Sequence, residues 1–253
     1  MPLPEHPSRV AMDGAVNFRD LGGYRTADGR RVRRERIYRS DDLAHLTDSD
    51  MRVLAELDVR TICDLRSTSE RAERPDRLPD ESAVRLHAMP ITPYRADKLI
   101  SDVRTGNLSV LDIRTRVREI YRRFALEGIA AYTSLFETLL LPEALPTVVH
   151  CASGHDRTGL GAALVLVALG VPRATIVYDF VVSDRFPRDL TFLLGDKVSP
   201  EIVAALTHAH PSYLAAAFDA IAANWGSERD YLRDALGLTT SRLTLLRDHL
   251  LER

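Results

Sequence analysis

The chain has 253 residues, 45% of them apolar and 28% charged, and its 34 basic and 36 acidic residues leave a formal net charge of −2. That apolar share is enough for a sizeable core, no window approaches the ~20 uninterrupted apolar residues of a membrane span, and the near-neutral balance offers nucleic acid no broad basic field. Two cysteines, Cys63 and Cys151, cannot build a disulfide framework, and the opening MPLPEHPSRV lacks the basic-then-apolar pattern of a secretory signal. A reducing cytoplasm is the expected setting, although export without such a signal would leave no mark in the letters.

Residues 1–16 read as a Pro-containing arm. In the NFRDLGGYRTADGRRV that follows, Gly22-Gly23 and Asp28-Gly29 are turn signals between short β-like runs, which predicts a hairpin near 18–33. IYRS at 37–40 reads as a strand. Thr47, followed by Asp48, Asp50 and the apolar Met51, Leu54 and Leu57, predicts a capped helix, and VRTICDL at 59–65 a buried strand. Residues 66–82 are charged and Pro-rich and read as a surface loop, with a short apolar run at 83–89 as a further strand. Residues 90–110 show little periodicity and read as a long loop, so a flap or lid insertion is expected around 90–127. Leu111, Val117, Tyr121 and Phe124, then Ile129, Tyr132, Phe136 and Leu139, recur at helical spacing until Pro142 stops the run.

PTVVH at 146–150 reads as a buried strand, Gly159 to Leu169 as a helix ended by Gly170, and Pro172 as the first turn of another. The rest, to 253, reads as helical with breaks near Gly195, Pro211, Gly226 and Gly237. Strands separated from one another by helical stretches predict an α/β fold. The expected architecture is a central, mainly parallel sheet of about four to five strands flanked by helices, with a helical C-terminal part over 172–253, all in a single domain.

The informative stretch lies between that strand and helix: His150-Cys151-Ala152-Ser153-Gly154-His155-Asp156-Arg157-Thr158-Gly159. A strand-to-helix turn leaves successive backbone N–H groups unpaired at the positive end of the helix dipole, a concave nest for a tetrahedral anion. Gly154 permits the tight curvature, and Ala152, Ser153, Gly154 and His155 would supply the cradle. A cysteine at its base has its thiolate favoured by the dipole and by nearby Arg157, which makes Cys151 a nucleophile at neutral pH. The planar fork of Arg157 can grip two phosphoryl oxygens, and the Thr158 hydroxyl can ease the later departure of sulfur. The spacing alone has a chance rate of ~3%, but the preceding His, the upstream strand and the downstream helix lower it to roughly one in a thousand.

This signature resembles that of the Cys-based protein-tyrosine phosphatases, His-Cys-x5-Arg-Thr/Ser, matched here at 150–158. More narrowly the chain is similar to the atypical bacterial branch, the mycobacterial protein-tyrosine phosphatase B group, through Asn17 to Gly23, Tyr38-Arg39-Ser40, Asp64-Leu65-Arg66-Ser67 and Gly154-x-Asp156-Arg157-Thr158-Gly159. The resemblance implies metal-free, cofactor-free hydrolysis of phosphomonoesters through a phosphocysteine. Its expected substrates are phosphotyrosine proteins or peptides, with phosphoserine, phosphothreonine and phosphoinositides as wider candidates, and inorganic phosphate is the product. Asp156 maps to the subfamily's acid, while Asp97 or Asp102 in the 90–110 segment would match the movable-loop acid of the wider superfamily. Relatives active on phosphoinositides carry Lys where this chain has His155, so turnover of such lipids is expected to weaken above about pH 7, as the imidazolium loses its proton.

Competing readings remain at this level. Residues 151–157 also suit a module that binds phosphate with little turnover, or sulfur or arsenate chemistry on a similar loop. His150, Cys151 and His155 do not make a metal site, because no CxxC or HxxxH partner supplies further ligands. Arg66, just past a strand end, is a candidate phosphate ligand. Arg19, Asp20 and Asp64 read as salt-bridged scaffold, Tyr121 as core, Tyr94 as a substrate contact, and Cys63 as core filler or a disulfide partner that protects Cys151.

Overall fold

The computed structural model describes residues 9–79, 84–186, 194 and 198–252. Its main sheet has five strands in the order β1 (Arg19–Asp20), β3 (Ile37–Ser40), β6 (Thr147–His150), β4 (Thr61–Asp64), β5 (Arg85–Ala88). Only the β1–β3 pair is antiparallel; the other three pairings are parallel. The central strands β3, β6 and β4 are buried along their whole length, as parallel strands covered on both faces must be. Successive residues face opposite cores: Ile62 and Val148 join the smaller cluster with Phe18 and Leu54, whereas Cys63, Val149 and Cys151 join the larger one.

The helices follow the predicted signals where those are strong. Thr47 closes a capping box with Asp50 at the head of α1 (Asp48–Glu56), and Ser109 does the same with Asp112 for α4 (Val110–Glu127). Two segments depart from expectation. The stretch read as a surface loop over 66–82 contains α2 (Thr68–Glu73), opened by Ser67, and the 90–110 stretch contains α3 (Ala96–Arg104). Leu99 and Val103 of α3, with Ile113, Val117, Tyr121 and Phe124 of α4, lie in the larger core. The expected flap over 90–127 is therefore built as a packed helical pair.

Beyond α5 (Ile129–Leu139) and β6 come α6 (Asp156–Leu169), α7 (Arg173–Val182), α8 (Pro200–Thr207), α9 (Pro211–Trp225) and the final helix Thr240–Leu250. The predicted break at Gly195 lies outside the described residues. Two short strands, β2 (Arg31–Val32) and β7 (Leu251–Glu252), pair antiparallel, so the reversal expected near 18–33 exists but its far strand is completed by the chain's end. No helix among the described residues is long and apolar enough to cross a membrane.

Register decides where chemistry can assemble. Ser40, His150, Asp64 and Ala88 lie abreast at the carboxyl ends of four parallel strands. The loops that leave β3, β6 and β4 therefore meet at one edge of the sheet, where sites of open α/β sheets form.

Candidate active site

Cys151 follows the last residue of β6, buried, and α6 begins at Asp156, so five residues span strand and helix. What fixes their conformation is the disposal of the carbonyls. The Ala152 carbonyl accepts the Asp42 N–H at 3.3 Å, the Ser153 carbonyl accepts Asn17 Nδ2 at 3.2 Å, and the Gly154 carbonyl accepts Arg39 Nη2 at 2.8 Å. Three successive C=O groups are thus held outward by the scaffold, and the intervening N–H groups are turned the other way, as an anion nest requires. Gly154 has φ +69°, and a Cβ there would lie 2.6 Å from the Ser40 carbonyl oxygen and 2.7 Å from the Asp41 nitrogen. No other residue fits.

Arg157 enters from the first turn of α6 and is buried. Glu70 grips it bidentately, Oε2 at 2.6 Å from Nη1 and Oε1 at 2.7 Å from Nη2, and the Leu65 and Ile91 carbonyls accept from Nη1 at 3.4 and 3.2 Å. These contacts engage both Nη1 protons and one on Nη2, and leave the Nε/Nη2 edge of the fork clear of them. Burial works against the guanidinium charge, but Glu70 and the neighbouring Cys151 outweigh it and hold Arg157 protonated. Burial likewise disfavours the Glu70 carboxylate, yet Arg157 brings its pKa down to about 2. Tyr132 donates to the Arg157 carbonyl at 3.1 Å, pinning the helix start.

Asp156 is half-buried, and burial raises its pKa, against the smaller opposing effects of the Tyr121 hydrogen bond and Arg157. Its Oδ1 accepts the Tyr121 hydroxyl at 2.6 Å. A carboxyl whose pKa is raised, with one oxygen held by a phenol, is suited to proton transfer at the other. Thr158 is fully buried, and its hydroxyl has no hydrogen-bond partner among the described residues. A polar atom in that condition is costly unless function uses it.

The remaining predicted residues are distributed as follows. Ala152 and Ser153 are partly exposed at the loop's tip. His155 is buried, its Nδ1 3.0 Å from the Thr207 carbonyl, and burial drives its pKa down to about 4. It is a neutral imidazole at physiological pH, which removes the basis for lipid turnover that fades above pH 7. Arg66 lies two residues past the end of β4. Its nitrogens are taken up by Asp64 at 2.8 Å, Asp76 at 2.8 Å and the Arg74 carbonyl at 2.7 Å, so the candidacy of Arg66 as a phosphate ligand is corrected to a structural role. Asp97 and Asp102 lie on α3. Asp102 is paired with Arg116 at 2.5 Å and Lys98 at 3.0 Å, and those hydrogen bonds lower its pKa, the wrong direction for a proton donor.

Cys63 lies opposite Val149, one strand across and two residues back from Cys151. Sheet spacing puts their Cα atoms about 8 Å apart, beyond the ~7 Å a disulfide spans. Burial also pushes the Cys63 thiol up to about 12, the wrong direction for a reactive thiol, and its side chain packs in the larger core. Tyr94 packs between Arg95 and Arg123, 5.3 and 4.8 Å from its ring centre. Among the described residues one set of metal-ligating groups converges, Asp64, Asp76 and His150, but the Arg66 guanidinium already lies against both carboxylates.

Sequence reading missed Glu70 and the partnership of Tyr121. A signal for Glu70 was present: Ser67-x-x-Glu70 directly after a strand is a capping-box pattern, and the Ser67 N–H indeed donates to Glu70 Oε2 at 2.8 Å. Nothing local signals that Tyr121 meets Asp156, 35 residues away.

The sequence profile of the tyrosine phosphatase family matches residues 10–252. The chain belongs to the tyrosine phosphatase family. A Cupriavidus necator protein named as a tyrosine-protein phosphatase is 33% identical over 247 residues, covering 92% of this chain and 86% of that one. The triple specificity protein phosphatase PtpB of Mycobacterium tuberculosis is 30% identical over 277 residues, covering 95% of this chain and 98% of PtpB. Among solved structures, the catalytic domain of the yeast PP-IP phosphatase SIW14 aligns over 78% of this chain and 87% of its own, at 14% identity and a TM-score of 0.38, too distant to decide any detail. This member is a Cys-based protein-tyrosine phosphatase, and phosphotyrosine is its substrate class.

Proposed function

We propose that Cys151 is the nucleophile, Arg157 and the loop amides the oxyanion ligands, and Asp156 the acid and then the base. Cys151 sulfur, as thiolate, attacks phosphorus, the bond to the phenolic oxygen breaks, and Asp156 protonates the departing oxygen. Water then gives a proton to the Asp156 carboxylate and attacks the phosphocysteine, and inorganic phosphate leaves as the thiolate is regenerated. The free edge of Arg157 and the N–H groups of residues 152–157 hold the equatorial oxygens through both steps, and the Thr158 hydroxyl donates to the emerging sulfur.

The observation that carries this reading is the outward anchoring of the Ala152, Ser153 and Gly154 carbonyls above Cys151. Asp156 beside them, its pKa raised by burial, supports turnover over mere phosphate recognition, because a carboxyl shifted in that direction suits proton transfer and serves no anion binding. Breadth toward phosphoserine and phosphothreonine is supported by the likeness to PtpB, a triple specificity phosphatase. The neutral, tethered His155 weighs against strong phosphoinositide turnover, since it adds no charge for a polyanionic head group. The test is hydrolysis of p-nitrophenyl phosphate by wild type, Cys151→Ser and Asp156→Asn. The first substitution should abolish measurable rate and the second should cost about 10²–10⁴-fold. Full rate in Asp156→Asn removes the acid assignment, and residual rate in Cys151→Ser near that of wild type removes the nucleophile.

A further inference from the structure

Arg19 on β1 and Arg39 on β3 are register partners, so two guanidiniums lie side by side, both almost fully buried. One carboxylate contacts them both. Asp179 of α7, itself 2% exposed, places Oδ2 2.5 Å from Arg39 Nη1 and Oδ1 3.8 Å from Arg19 Nε, and Oδ1 also accepts the Tyr24 hydroxyl at 3.1 Å. Arg19 Nη2 donates to the Asp179 carbonyl at 3.2 Å and to Ser183 Oγ at 2.9 Å. Burial, together with repulsion from Arg39, brings the Arg19 pKa down to about 9. A buried like-charge pair of this kind keeps its geometry only while its counter-ion stays in place.

Arg39 is also the residue that holds the Gly154 carbonyl, through Nη2. A guanidinium is a rigid plane, so the carboxylate on Nη1 sets the direction of Nη2. The Gly154 carbonyl and the His155 N–H belong to one trans peptide, so holding the carbonyl outward turns that N–H toward the nest. From these contacts we propose that Asp179 is a positioning residue for the phosphate nest, acting through Arg39 on the Gly154 carbonyl. The proposal rests on the reading of residues 151–157 as that nest. Releasing the carbonyl lets the peptide rotate and removes an oxyanion donor, while the Cys151 sulfur stays where β6 leaves it.

The test uses three readings on Asp179→Asn, Arg39→Lys and Ser183→Ala: affinity for tungstate, kcat/KM for p-nitrophenyl phosphate, and the rate at which neutral iodoacetamide alkylates Cys151. Asp179→Asn should weaken tungstate and lower kcat/KM together, by about 10-fold to 100-fold, the scale of one lost oxyanion donor. Alkylation should change by less than about 3-fold, because the α6 dipole and Arg157, which favour the thiolate, are left in place. Asp179→Glu should restore most of the loss. If Asp179→Asn does not fold, Arg39→Lys carries the test, since a single ammonium cannot span Asp179 and Gly154. Ser183→Ala keeps the Asp179 ion pair and gives up only the contacts of its hydroxyl with Arg39 Nη2 at 3.4 Å and Arg19 Nη2 at 2.9 Å, so its losses in tungstate affinity and kcat/KM should be smaller than those of Asp179→Asn. The proposal is overturned if the folded variants lose only melting temperature, or if alkylation falls in step with tungstate affinity. Failure of wild type itself to bind tungstate would instead overturn the nest.

Discussion

Tyr121 donates to Asp156 Oδ1, and in doing so favours the carboxylate against the burial that raises its pKa. Removing the hydroxyl takes away the effect that lowers the pKa, so in Tyr121→Phe the carboxyl should ionise at still higher pH. A hydrogen bond to a charged group is worth about 1.5–3 kcal/mol, which corresponds to a shift of about 1–2 units in the alkaline limb of the kcat profile. An unshifted limb would mean that another group supplies the proton. His155 yields the opposite kind of expectation. Its pKa of about 4 leaves no charge to lose between pH 5.5 and 8, so pH profiles for a phosphoinositide and an aryl phosphate should run parallel there. Divergence near pH 7 would show that the imidazole is free to charge on binding substrate.

The loop depends on elements far from it in sequence, and its glycine is where they press closest. A Cβ at Gly154 meets backbone at 2.6 Å in a left-handed conformation, so Gly154→Ala should lower kcat/KM by about 100-fold. Gly29→Ala, also at positive φ but in open space, should cost stability alone, and equal catalytic losses in the two would contradict this account. The central strands were legible because continuous apolar runs bounded by turn signals read as buried strands, and α1, α4, α5 and α6 because their periodicity or caps are strong. The motif at 150–158 was legible because strand, loop and helix must follow one another locally. Less visible were α2, whose six residues bury nothing, and α3, whose charged residues mask the short apolar stripe of Leu99 and Val103. The anchoring of the loop by Asn17, Arg39 and Asp42, and the Tyr121–Asp156 bond, depend on strand order and helix packing, which no local pattern encodes. Arg66 looked like a ligand because Asp76, which shares its guanidinium with the neighbouring Asp64, is brought to it only by the fold.

At the scale of the whole molecule the site is also a joint of the structure. Glu70 and Arg157 tie α2 to α6, and the Glu70 carboxyl sits at about 2 when folded, against 4.5 when unperturbed. A depressed pKa contributes stability above about pH 4.5 that is lost as pH falls toward 2, here about 3 kcal/mol at most. Glu70→Gln should therefore be less stable near neutrality and show a shallower decline in denaturant midpoint between pH 4.5 and 2; an unchanged decline would mean the pair adds nothing. Cys63, in the core, should resist alkylation in the native protein while Cys151 reacts. The central claim is that turnover passes through a covalent bond to the sulfur at the carboxyl end of β6. Its most direct measurement is rapid acid quenching of wild type or Asp156→Asn during aryl phosphate hydrolysis, followed by peptide mass mapping. One phosphoryl group on the peptide that contains Cys151, absent in Cys151→Ser, is the predicted result. Phosphoryl transfer to another side chain, or turnover at an unchanged rate with no covalent phosphoryl group, would contradict it.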